Sequence, residues 1–137
     1  MRSSGAERLV LDTSAYSRMR SGNLAVLDFV AKASVVFLPV ITLGELEGGF
    51  ALGKKSTENR KALEAFLTEP FVATLGITRP VTRLYGEIFA QLRRGGTPIP
   101  TNDIWIAALT LDCGGHLLTF DSDFKAIPQL SCTFLVP

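Results

Sequence analysis

The sequence predicts an α/β protein, a three-layer α/β/α sandwich built on a parallel sheet. Two observations lead there. Short apolar runs alternate with longer helical stretches along the chain, and each run is nearly continuous in apolar residues instead of alternating with polar ones. Continuous apolar strands are covered on both faces, and right-handed crossovers between parallel strands place helices on both sides.

The elements follow in order. Leu9-Val10-Leu11 is a compact strand ended by Asp12-Thr13-Ser14, which reads as a turn. Residues 23–33 form a short amphipathic helix with Leu24, Leu27 and Val30 on its face. Residues 34–38 (SVVFL) are a strand stopped by Pro39, and residues 42–52 are helical. A helix over 57–68 carries Leu63, Phe66 and Leu67, and residues 71–75 are a strand. Over 78–94, Val81, Leu84, Tyr85, Ile88, Phe89 and Leu92 recur at helical spacing before Gly95-Gly96, the clearest helix in the chain.

After a Thr-Pro-Ile-Pro turn, residues 102–112 form a helix that is apolar almost all round, the mark of a buried helix. Residues 117–120 are a strand, 122–126 a short helical turn and 132–136 the last strand.

Size and composition fit one domain over residues 1–137, with residues 1–8 as a short N-terminal extension. Apolar residues make up 47% and charged residues 20%, an ordinary globular balance. No apolar run reaches the roughly 18 residues of a membrane span, and the start has no signal-like apolar segment, so a soluble, cytoplasmic protein is expected.

Cys113 and Cys132 belong to no metal-binding or redox spacing and read as small apolar core residues. Trp105 reads as core as well, with stacking on a base as the other reading if it is exposed. A net charge of +1 neither favours nor excludes nucleic acid. The bases Lys54, Lys55, Arg60, Lys61, Arg93 and Arg94 read first as solvated helix faces, with contact to an RNA backbone as the other reading.

Four acids occupy equivalent places. Asp12 follows the first strand and Asp121 the fourth, while Glu45 and Asp103 lie in the first turns of two helices. In a parallel sheet all should face the rim at the strands' carboxyl ends, where functional groups collect. Each has a structural explanation too. Thr42-x-x-Glu45 matches a capping box, Asn102 or Asp103 can cap a helix, Asp121 can cap the 122–126 turn, and Asp12 suits a turn.

Together they point elsewhere, because clustered carboxylates repel and pay for desolvation unless a cation joins them. Hard oxygen ligands suit Mg²⁺ or Mn²⁺. His116 precedes a strand at the end away from the acids and reads as non-catalytic.

The blocks VLDTSAYS, ITLGELEGG, PTNDIWIAAL and LLTFDSDF, in this order and at these intervals, resemble those of PIN domains, and most of all VapC-type toxins of toxin–antitoxin pairs. The resemblance runs from Leu9 to Val136 and implies a parallel sheet of about five strands flanked by helices. It places the family's acids on Asp12, Glu45, Asp103 and Asp121, with Asp123 as a further acidic position. Thr119 matches the hydroxyl residue before the last acid, and Thr13-Ser14 the small polar pair after the first.

The activity so implied is endoribonuclease cleavage of RNA with Mg²⁺ or Mn²⁺, leaving a 5′-phosphate and a 3′-hydroxyl. Asp12, Asp103 and Asp121 would hold the metal, and Glu45 would hold a second ion or orient the attacking water. Thr13, Ser14 and Asn102 would hydrogen-bond phosphate or water, or else cap their helices. A homodimer and a cognate antitoxin are the implied partners, the antitoxin placing a basic or bulky side chain in the acidic cleft. RNA-processing PIN nucleases share the same acids, so they too fit. A non-catalytic RNA-binding or protein-interaction module is the alternative, and the loss of an acid that would mark it is not seen. A phosphoacceptor domain would want paired acids near the first strand and a lysine after the last, whereas residues 9–14 hold only Asp12.

Overall fold

The computed structural model describes residues 7–137. Most of the expected N-terminal extension lies outside the described residues, and Arg8, assigned to it above, is instead the first residue of β1. Strands β1 (Arg8–Leu11), β2 (Val35–Pro39), β3 (Val72–Leu75), β4 (His116–Thr119) and β5 (Cys132–Phe134) form one sheet in the order β3-β2-β1-β4-β5, every pair parallel. The helices are α1 (Thr13–Arg20), α2 (Leu24–Lys32), α3 (Val40–Leu52), α4 (Ser56–Leu67), α5 (Arg79–Arg94) and α6 (Thr101–Asp112), with a 3₁₀ turn at Ser122–Ala126. The predicted α/β class and parallel sheet are thus observed. Among the described residues no helix is long and apolar enough to cross a membrane.

β1 lies at the centre of the sheet, with Leu9, Val10 and Leu11 fully buried. Alternation of side chains sends Leu9 and Leu11 into a core shared with α1–α4, and Val10 into a second core against α5 and α6. Leu118 and Leu117 of β4 divide between the same two cores. Both faces of the central strands are therefore covered, which is why their sequences show no polar alternation. Each fully buried Leu or Val contributes about 1.5–3 kcal/mol of transfer free energy. The edge strand β5, packed less completely, is only partly buried throughout.

Three expectations need correction. Residues 12–14 do not form a turn: Asp12 caps α1, its carboxylate accepting from the Ala15 amide at 2.8 Å. That helix buries only Ala15 and Tyr16, too few to leave an apolar period. In α2 the buried residues are Val26 and Val30, whereas Leu24 and Leu27, expected on the inner face, are 81% and 41% exposed. The sequence LAVLDFVA is apolar at too many positions to define one stripe. Cys113, Cys132 and Trp105 are partly exposed at the margin of the second core, and Trp105 stacks on Tyr85 with ring centroids 4.0 Å apart.

The six bases named above are all exposed, and Arg60 pairs with Glu47 at 2.7 Å, tying α4 to α3. His116 lies at the start of β4, its ring nitrogens each 2.6 Å from a hydroxyl, Ser131 Oγ and Thr133 Oγ1.

Tyr16 is 2% exposed and packs on Phe66 at 5.8 Å, yet its phenol oxygen has no hydrogen-bond partner among the described residues. Removing a buried, unsatisfied polar atom loses no bond, so Tyr16→Phe is expected to leave stability unchanged or raise it by about 1 kcal/mol. A thermal melt checks this, and a clear loss of stability would reveal a partner for that hydroxyl.

Candidate metal centre

The strand order reverses direction at β1, whose neighbours are β2 on one side and β4 on the other. A crevice opens at such a switch point beyond the strands' carboxyl ends. Here it is a cleft of about 290 Å³ lined by Asp12, Thr13, Ser14, Ser17, Glu45, Asp103, Ile106 and Asp121. All four predicted acids line it, although they come from four separate stretches of the chain.

Asp12 sits deepest, at 4% exposure. Its Oδ1 accepts from Ser14 Oγ at 2.7 Å and from the Ala15 amide, and its Oδ2 accepts from Thr119 Oγ1. Burial pushes its pKa up, opposed by the bonds from Thr119, Ala15 and Ser14, while the nearby Asp121 charge adds to the rise. Thr119 also accepts from the Asp121 amide at 2.9 Å, so one buried hydroxyl ties the end of β1 to the end of β4.

Glu45 is exposed on α3, and two donors fix it: Thr13 Oγ1 at 2.5 Å and Asn102 Nδ2 at 3.3 Å. It closes no capping box. The position before α3 is Pro39, and Thr42 is buried with its hydroxyl donating to the Leu11 carbonyl at 3.3 Å. Nor do Asn102 or Asp103 cap α6, which Pro100 precedes without a side-chain bond. Thr13 and Ser14 are not caps either, because they lie inside α1. The capping reading holds for Asp121, whose Oδ1 accepts from the Asp123 amide at 2.9 Å.

Asp103, in the first turn of α6, is half-buried. Its pKa is raised from 3.8 to about 7, first by burial, then by the charge of Asp121 and a hydrogen bond to it, and by Asp123 and Glu45. Asp103, Asp121 and Asp123 each offer an oxygen, and these oxygens lie within 4.8 Å of one another. Asp12 stands outside that trio, with its oxygens already accepting from the chain. Among the described residues the ion pairs are Lys32–Asp28 and Arg60–Glu47, so no side-chain cation neutralises the cleft. An all-carboxylate donor set with no internal counter-charge fits a hard divalent cation such as Mg²⁺ or Mn²⁺.

Two lining residues went unread in the sequence, Ser17 and Ile106. Each lies three positions after a cleft residue on the same helix, Ser17 after Ser14 and Ile106 after Asp103. Ile106 lies inside the helix expected over 102–112, where the helical repeat reaches it from Asp103, whereas Ser17 is reached only once residues 13–20 are known to be helical.

Comparison with known proteins identifies the family and agrees with the fold. The PIN domain pattern matches residues 9–130. The chain is 33% identical over 122 residues to the plasmid stability protein StbB of Pseudomonas syringae pv. tomato, covering 83% of this chain and 88% of that one. It is 30% identical to ribonuclease VapC2 of Rickettsia felis, covering 76% and 77% of the two chains. Among solved structures, VapBC2 of Rickettsia felis, bound to a DNA fragment from its promoter, superposes with a TM-score of 0.81 at 23% identity, over 93% of this chain and 98% of that one. A parallel five-stranded sheet with acids gathered at its switch point, together with a pattern match over most of its length, places this chain in the PIN domain family.

Proposed function

We propose that the chain is a divalent-metal-dependent endoribonuclease and the toxin of a toxin–antitoxin pair. The observation that carries this is the convergence of Asp12, Glu45, Asp103 and Asp121 on one cleft that the chain itself leaves without a counter-charge. The ribonuclease relative and the VapBC2 likeness support RNA as substrate and an antitoxin protein as partner.

Asp103 and Asp121 would hold the cation, with Asp123 at the exposed rim and Asp12 at the floor of the cleft. When bound, Mg²⁺ or Mn²⁺ supplies charge stabilisation for the phosphoryl oxygens and makes water a stronger nucleophile. Thr119 and Ser14 keep the Asp12 carboxylate oriented and favour its charged form against burial. Glu45, fixed by Thr13 and Asn102 yet open to solvent, is placed to accept a proton from the attacking water. Ser17 lines the same cleft as a hydroxyl donor for the RNA phosphate.

A net-negative cleft of this kind also accepts a guanidinium, so an arginine from the antitoxin would occupy it and block the ion. The active species would be a homodimer.

The test uses purified protein, free of any partner, with a pool of structured RNAs and Mg²⁺ or Mn²⁺. Cleavage that EDTA abolishes and that leaves 5′-phosphorylated ends is the expected result. A folded protein that binds no Mn²⁺ in calorimetry and cuts no RNA would sink this reading and leave a binding module.

A further inference from the structure

We propose that the hollow beside the acidic cleft, lined by Val40, Ile41, Gly44, Glu45 and Asn102, is the subsite for a nucleobase flanking the cleaved bond and helps to decide where the chain cuts. This deepens the endoribonuclease reading and rests on it. The hollow measures about 380 Å³, and Glu45 lines both it and the acidic cleft, so the two adjoin at that side chain. An RNA strand with its phosphate among the acids would carry a neighbouring base past Glu45 into this space.

The chemistry of the walls suits a base. Val40, 42% exposed, and the half-buried Ile41 offer apolar surface one turn before Gly44 and Glu45. The apolar face of any base can pack on such aliphatic surface, and polar groups at the edge then discriminate among bases. Asn102 provides that edge. Its Nδ2 is held by Glu45 Oε2 at 3.3 Å, and its Oδ1 makes no hydrogen bond among the described residues, leaving an acceptor for an exocyclic amine.

Gly44 adds an independent reason. Glycine inside a helix is less favourable than alanine. Its φ is not positive, and a Cβ built there would meet nothing within 4 Å. Neither the backbone nor internal packing calls for glycine, whereas a base lying close over the helix does.

Because that space is open, Gly44→Leu is expected to fold, to melt at or above the wild type and to bind Mn²⁺ as the wild type does. Its kcat/KM on RNA should fall roughly 10- to 100-fold, mainly through KM, as loss of the apolar contact made by one base implies. End sequencing over an RNA pool should show a changed preference next to the cut. A short fluorescent single-stranded RNA covering the mapped site, measured in Ca²⁺, gives a second readout: an abasic nucleotide at the flanking position should weaken binding to the wild type but not further to Gly44→Leu.

Cleavage at the same sites with unchanged kcat/KM would overturn the subsite while leaving the nuclease intact. A change of oligomeric state in light scattering would overturn it too, assigning this face to contact between copies. A folded wild type that neither binds Mn²⁺ nor cuts any RNA would remove the nuclease reading itself, and the subsite with it.

Discussion

An Asp103→Asn protein is expected to lose metal-dependent RNA cleavage by about 10³-fold or more and, in EDTA, to melt higher than the wild type. Both effects follow from one feature. Asp103 is half-buried and faces Asp121, Asp123 and Glu45, and its carboxyl is pushed up to about 7 by burial and by those charges. Its oxygen is one of the trio that lies within 4.8 Å and that, on the proposed reading, would hold the cation. An amide there keeps the size and removes the charge, so the ion loses a ligand. Without metal, the same amide relieves repulsion and a desolvated charge. A purely structural acid would behave in the opposite way, since its loss would destabilise the fold and leave the chemistry nearly intact. Single-turnover cleavage assays beside melts in EDTA decide the matter: a variant that melts lower than wild type and still cuts would assign Asp103 to structure.

The second expectation concerns pH. In the unfolded chain Asp103 would titrate near 3.8, and in the folded, metal-free protein near 7. Between those values the folded state keeps a proton that the unfolded state has released, so the stability contributed by this group falls as pH rises through the window. Asp12, also raised, acts in the same direction. Metal-free protein should therefore melt higher at pH 5 than at pH 8, as far as these acids are concerned. The cation reverses this, because it binds the ionised form and displaces the proton.

The rise in melting temperature caused by Mn²⁺ should accordingly be small at pH 5 and grow to several degrees, on the order of 1–2 kcal/mol, by pH 8. Asp103→Asn should flatten the pH dependence of that rise. A Mn²⁺ effect that is equal at both pH values would mean that the ion does not compete with the Asp103 proton.

The class of fold was legible in the sequence because the central strands are buried on both faces and so carry unbroken apolar runs, Leu9-Val10-Leu11 above all. The amphipathic α5 was legible because it buries Val81, Ile88 and Leu92 on one side and leaves arginines on the other. By contrast α1 left little trace. It is held by the Asp12 cap and by two buried residues, so its eight positions hold too few inward contacts to set a period. In α2 the inward face could not be chosen, since apolar residues occupy both sides and only contact with neighbouring elements selects Val26 and Val30.

The candidate site divides in the same manner. The sequence by itself determined which carboxylates are present and that parallel strands bring them to one rim. Only the tertiary structure decided their separate conditions. Asp12 is sunk beneath Thr119 and Ser14, and Asp103 is pressed against Asp121. Glu45 is fixed by Thr13 and Asn102 from two other helices and is not part of a capping box. Local sequence specifies which groups a turn or cap can offer, but hydrogen-bond partners 32, 57 and 107 positions apart are set by packing alone. Burial and neighbouring charge, which shift a pKa, are likewise properties of the assembled sheet and helices.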